Sequence, residues 1–157
     1  MTLVGIRGGG DFERADLTRA LLGELTARGQ SVSVLAFAAN GAEIDIPGKD
    51  SYEHRRAGAC EVLAVSRLRW ALIHESTPAE ARGEPELNTL LARLAPVDIV
   101  LAPGIAEEAA ISLDLEPGGE VLQALHSAQP TALFRLDKAG QIADFIVNPP
   151  AEKHATP

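Results

Sequence analysis

Cysteine is nearly absent. Cys60 is the only one in 157 residues, which excludes an internal disulfide and a cysteine-built metal cluster. Positive charge is scarce too: 14 Lys and Arg stand against 22 Asp and Glu, a formal net charge of −8. That balance argues against a nucleic-acid partner, which asks for a basic face. No apolar run approaches the ~20 residues of a membrane span. The start at Met1 leads into a short strand pattern, not a charged segment followed by a long apolar one. No secretory signal is therefore expected, and the expected location is the cytoplasm. His54, His74, His126 and His154 are scattered without ligand spacing, so none is read as a metal ligand.

What remains is an ordinary globular composition, 46% hydrophobic and 23% charged. The length suits one domain, placed at 1–147, with a polar, proline-rich tail at 148–157 expected to be disordered. Thr2 to Ile6 reads as a strand and Arg7 to Glu13 as a loop. Leu17, Leu21 and Leu25 recur every four residues, so Arg14 to Arg28 reads as a helix stopped by Gly29. Val32 to Phe37 is the next strand. This βαβ order predicts an α/β fold with a mostly parallel sheet and flanking helices.

Further along, Cys60 to Val65 and Trp70 to His74 read as strands, and Glu86 to Leu94 as a helix. Thr77 to Pro85 reads as a linker. Val97 to Ala102 is a strand of the kind buried in parallel sheets. Ala106 to Leu113 and Glu120 to Ser127 read as short helices around Pro117-Gly118-Gly119. Thr131 to Leu136 and Ile142 to Val147 read as a C-terminal hairpin. Cys60, Trp70, Leu72 and Phe134 are assigned to the core.

Two stretches carry candidate chemistry. Gly8-Gly9-Gly10 lies between strand and helix, where phosphate is favoured by helix N-terminal amides. A P-loop needs Gly-Lys-Ser/Thr after its first glycine and four further residues. Counting from Gly8, those places hold Glu13, Arg14 and Ala15. Asp11, Glu13 and Asp16 would also repel a triphosphate. A structural turn is the favoured reading over an unusual phosphate loop. The second stretch is Asp45-Ile-Pro-Gly-Lys-Asp-Ser-Tyr-Glu-His-Arg-Arg-Ala-Gly-Ala. Pro47-Gly48 marks a turn, Asp50 or Ser51 an N-cap, Tyr52 to Ala57 a short helix, and Gly58 its C′ residue. Lys49, Arg55 and Arg56 make a compact cationic group in an acidic chain.

That second stretch, with Arg69-Trp70-Ala71-Leu72 after it, resembles the molybdopterin-guanine dinucleotide biosynthesis protein B (MobB) family. Matching residues are Pro47, Gly48, Lys49, Asp50, Ser51, Tyr52, Arg55, Arg56 and Gly58, and Gly8 matches the first P-loop glycine. The resemblance implies a P-loop NTPase-like, three-layer fold, a homodimer, GTP and Mg²⁺. It also implies partnership with the guanylyltransferase MobA in attaching GMP to molybdopterin and delivering the cofactor to molybdoenzymes. Three of the family's nucleotide stations are altered. Its Gly-Lys-Thr is replaced by Glu13-Arg14-Ala15, its Lys-His-x-His-His by Ala36-Phe37-Ala38-Ala39-Asn40, and its Glu-Gly by Pro103-Gly104.

The expectation is a non-catalytic, MobB-like adaptor whose GTPase activity is lost. Gly8, Gly9, Gly10 and Arg14 would be the vestige of the nucleotide site. Asp45, Gly48, Lys49, Asp50, Ser51, Arg55 and Arg56 would form the recognition loop, taking a partner's acidic groups or a molybdopterin phosphate. One alternative is a working GTPase in which Arg14 replaces the lysine and Glu43 or Asp45 holds Mg²⁺. Another is a chaperone or subunit of a single molybdenum or tungsten oxidoreductase.

Overall fold

The computed structural model describes residues 1–36, 45–78, 86–105, 108–118 and 120–150. They divide into two compact units, Met1–Phe37 with Leu94–Pro157, and Ala38–Arg93.

The first unit is an α/β sheet. β1 (Thr2–Gly8), β2 (Val32–Val34), β5 (Ile99–Pro103) and β6 (Ile111–Leu115) run parallel, and β7 (Val121–His126) and β8 (Gln129–Arg135) continue antiparallel. The strand order is β2-β5-β1-β6-β7-β8. β1 is central because Val4 and Ile6 are fully buried and its neighbours are as apolar as itself. In β5, Ile99 to Ala102 are buried on both faces, as expected of a parallel strand.

Helix α1 (Asp11–Ala27) follows β1 and buries Leu17, Thr18, Leu21 and Leu25 against the sheet. It starts three residues before the expected Arg14. It ends in a Schellman motif: Gly29 N–H donates to Thr26 O and Gln30 N–H to Leu25 O, with Gly29 at φ +77°. Helix α4 (Ala139–Val147) packs beside α1 on the same core, and its Asp144 pairs with Arg28 at 2.8 Å. Just after the end of α1, Ser31 ties β2 to β5 by donating its hydroxyl to Asp98 at 2.6 Å. That bond, with a second from the Ser31 amide, holds the Asp98 carboxyl below its usual value.

Several expectations need correcting. Ile142 to Val147 is helical, not a strand: Ile142, Ala143, Phe145 and Ile146 are buried on one helical face. Ile111–Leu115 and Val121–His126 are strands, not helices; Ile111, Leu113 and Leu115 are buried alternately with half-buried Ser112 and Asp114. The C-terminal hairpin is therefore β7–β8. Its two-residue turn, Ser127-Ala128, has φ of +50° and +62°, the type I′ arrangement that favours Asn-Gly. Replacing Ser127-Ala128 by Asn-Gly is expected to raise unfolding free energy by about 1 kcal/mol in urea denaturation. Phe134 does join the core and meets Phe145 edge-on at 5.6 Å.

The second unit holds α2 (Asp50–Arg56), a two-stranded hairpin of β3 (Glu61–Val65) and β4 (Trp70–His74), and α3 (Leu87–Leu91). Cys60, Trp70 and Leu72 are not core. Cys60 is exposed, Trp70 is 66% exposed and Leu72 40%. The register explains this. Leu63 pairs with Leu72 and Val65 with Trp70, which puts all four on one face of the hairpin. Half-buried Val62 and Ile73 lie on the other face, and α2 packs against β3.

Candidate functional site

The glycine loop is short. β1 runs through Gly8 and α1 begins at Asp11, so only Gly9 and Gly10 connect them. Gly8 and Gly9 have φ of +71° and +54°. The loop satisfies its own polar groups. The Glu13 carboxylate accepts the Gly10 N–H at 2.9 Å. Arg14 turns back and donates to Gly8 O at 2.8 Å and Gly9 O at 3.0 Å, and it pairs with Asp11. Asp16 is held by Arg19 at 2.7 Å. An adjacent cavity of about 290 Å³ is lined by Phe12, Leu17, Ala20 and Leu136, with Glu13 and Asp16 as its charged residues.

The end of β5 lies beside this loop, since Ile6 pairs with Pro103 and Gly104 N–H donates to Ile6 O at 2.8 Å. The Pro103-Gly104 station thus presents no carboxylate here. Next to it on the sheet, Arg7 of β1 makes a two-pronged ion pair with Asp114 of β6. Sequence reading missed this pair, because the two residues are 107 apart and meet only through the parallel register. Phe37 to Asn40, the third station, and Glu43 lie outside the described residues.

In the second unit the 45–59 stretch forms an ordered loop and helix. Gly48 takes φ +83° at the turn and Gly58 φ +108° at C′. Ala59 N–H donates to His54 O and Gly58 N–H to Arg55 O, a second Schellman motif. The N-cap is Lys49, not Asp50 or Ser51. Ser51 is otherwise engaged: its hydroxyl donates to Asp45 at 3.1 Å. Asp45, with 8% of its side chain exposed, also accepts from the Ile46 N–H and, at 3.4 Å, from Arg55 Nε. Arg55 Nη1 donates to Glu75 at 2.7 Å. That bond, the largest cause, raises the Arg55 pKa further above its ordinary value. Glu75 was not picked out from the sequence; it sits just past β4, where its N–H bonds back to Cys60 O.

The expected cationic trio therefore divides. Arg55 and Asp45 organise the loop. Asp45 is bonded to protein donors, a poor arrangement for a Mg²⁺ ligand. Lys49 is exposed and has no ion pair among the described residues. Arg56 lies over the Tyr52 ring, its guanidinium carbon 5.8 Å from the centroid, and donates to the Tyr52 hydroxyl at 3.3 Å. Among the described residues, no three His, Cys, Asp or Glu side chains gather into a group that could hold a metal, and no helix is long and apolar enough to cross a membrane.

Residues 1–129 match the family described as molybdopterin guanine dinucleotide synthesis protein B. The chain belongs to that family. It is 36% identical over 97 residues to the molybdopterin-guanine dinucleotide biosynthesis adapter protein of Escherichia coli K12, covering 60% of this chain but only 54% of that relative. It is 29% identical, over a 159-residue alignment, to the adapter protein of the same name from Haemophilus influenzae Rd, covering 93% and 88%. A crystal structure of a MobB protein superposes with a TM-score of 0.64 at 21% identity, covering 92% of this chain and 96% of that one. That likeness bears on the fold alone, which is P-loop NTPase-like.

Proposed function

We propose that this MobB-family chain is a non-catalytic adaptor in molybdenum-cofactor maturation, acting in the cytoplasm on the guanylyltransferase MobA or on a molybdoenzyme. One observation carries the non-catalytic part: the loop that would cradle phosphate is filled by its own side chains. The Glu13 carboxylate holds the Gly10 amide, where an anion would sit at a helix N-terminus. Arg14 is spent on loop carbonyls and Asp11. A nucleotide would have to displace both and then meet a cavity whose two charged residues, Glu13 and Asp16, are acidic.

GTP turnover tests this reading. Wild type, Arg14→Ala and Lys49→Ala are all expected to stay at the background rate with Mg²⁺ present. Turnover well above background that falls in either variant would instead establish a working GTPase.

The same reading includes a homodimer formed through the β3–β4 hairpin. Five exposed large apolar residues, Leu63, Val65, Leu68, Trp70 and Leu72, stand on this one ribbon. A two-stranded ribbon is marginal alone, and a two-fold contact of like stripes would remove them from water together.

A further inference from the structure

Two copies of the β3–β4 hairpin can meet face to face in two ways, and the charges along the ribbon separate them. Its apolar face is built of cross-strand pairs: Glu61 with His74 at the open end, then Leu63 with Leu72, then Val65 with Trp70. The turn Ser66-Arg67-Leu68-Arg69 follows, closed by the Ser66 N–H donating to Arg69 O at 2.9 Å. Successive pairs on one face lie roughly 7 Å apart. From open end to tip the order is therefore acidic, apolar, apolar, basic. Glu61 meets His74 Nδ1 at 3.0 Å and Arg93 at 3.6 Å, both through Oε1, which leaves Oε2 for a further donor. At the tip, Arg67, Leu68 and Arg69 are exposed, and neither arginine forms an ion pair among the described residues.

We propose that the two hairpins lie antiparallel, tip to open end, with Arg67 of each copy paired to Glu61 of the other. The proposal rests on the homodimer reading above. Consider a two-fold axis that runs between the ribbons and crosses their length, midway between the Leu63–Leu72 and Val65–Trp70 pairs. It sets Leu63 over the other copy's Val65, and Leu72 over its Trp70. The same rotation carries each tip to the other copy's open end, because both lie one pair spacing beyond the apolar stripe. On the β3 side, Arg67 then faces Glu61, and Arg69 adds positive charge beside it. A two-fold axis along the ribbons buries the same stripe, but sets tip on tip and open end on open end. Arg67 and Arg69 would face their own counterparts and Glu61 its own, so like charges would gather at both ends. Apolar burial does not choose between the two arrangements; the charges do. Both halves of the match are carried by one surface, as an isologous contact requires.

Sedimentation velocity of the full chain over a concentration series tests the arrangement, with Arg67→Glu, Glu61→Arg and the double variant that carries both. Each single reversal sets like charges against each other at two symmetric places. It is expected to raise the dimer dissociation constant about tenfold. The double variant restores opposite charges across the contact and is expected to return to within about threefold of wild type. With tip on tip, a reversal only trades one like-charge contact for another, so every variant would match wild type. Rescue is also a readout that damage to the hairpin cannot imitate, since two damaging changes add. Equal dissociation constants in all variants, or a double variant weaker than either single one, overturn the proposal. The homodimer itself still stands in those cases if Trp70→Glu separates the copies. A wild type that stays monomeric at tens of micromolar removes the homodimer and the proposal together.

Discussion

In the homodimer proposed above, Trp70→Glu is expected to separate the two copies, raising the dimer dissociation constant by about 100-fold or more. Trp70 pairs with Val65 across the hairpin, beside Leu63 and Leu72. Trp70 and Val65 are 66% and 72% exposed. Nothing in the described structure accounts for so much apolar surface on one narrow ribbon, and clusters of that kind mark contact faces. Truncating a buried aromatic anchor costs about 2–4 kcal/mol at such a face. At 1.4 kcal/mol per tenfold, truncation alone gives a loss of about 30- to 700-fold, and a carboxylate in the seam adds a desolvation cost. Val65→Glu should act the same way. Glu61→Gln, beyond the apolar stripe, should act far less. Sedimentation velocity at several concentrations reads the result. A wild type that stays monomeric at tens of micromolar would remove the dimer, and a dimeric Trp70→Glu would move it to another surface.

Gly8→Ala is expected to destabilise the first unit by about 3 kcal/mol, or to prevent folding. A Cβ at Gly8 would lie 2.2 Å from the Leu115 carbonyl oxygen, and φ is +71°. The obstacle is backbone, held in the β1–β6 ladder where Gly8 pairs with Leu115, so neither partner can yield. Gly10→Ala makes the contrast. Its Cβ would meet Glu13 Oε2 at 2.5 Å, the far end of a movable side chain, and φ at Gly10 is −92°. The expected cost there is about 1 kcal/mol, mainly the lost bond from Gly10 to Glu13. Urea denaturation of both variants ranks them. The order decides what the glycines are for: Gly8 admits β6 to β1, whatever becomes of a ligand. Equal, small costs would mean that the close approach of β6 to β1 does not need a glycine at position 8.

The legible parts of the sequence were those with a period or a stop signal. Leu17, Leu21 and Leu25 placed α1, and Gly29 and Gly58 placed two helix ends, because only a residue that tolerates positive φ fits there. The 45–59 stretch stands out because its polar residues are locally dense, and the order of those residues, with Arg69-Trp70-Ala71-Leu72, carries the family resemblance. The misreadings share a cause. Ile142 to Val147 is a short apolar run whose period is ambiguous until α1 supplies the other half of the core. The β7–β8 turn carries Ser127-Ala128 in place of the glycine or asparagine that would announce it. Trp70 and Leu72 were placed inside because apolar residues usually are; their position on a ribbon with one free face is a fact of register. Glu75 and Asp114 could not be paired with Arg55 and Arg7 from sequence, since folding alone brings them together. The division of the cationic trio, with Arg55 inward and Arg56 outward, followed from those pairings.

The central claim is that the adaptor works without a nucleotide in the glycine loop. Equilibrium titration of the full chain with GTP, with and without Mg²⁺, tests it most directly, with GDP as a control. The account predicts no saturable binding at concentrations up to about a millimolar, and no effect of Mg²⁺. Micromolar, Mg²⁺-dependent GTP binding that is lost in Arg14→Ala would contradict it, because Arg14 and Glu13 would then have to leave the loop to admit the ligand.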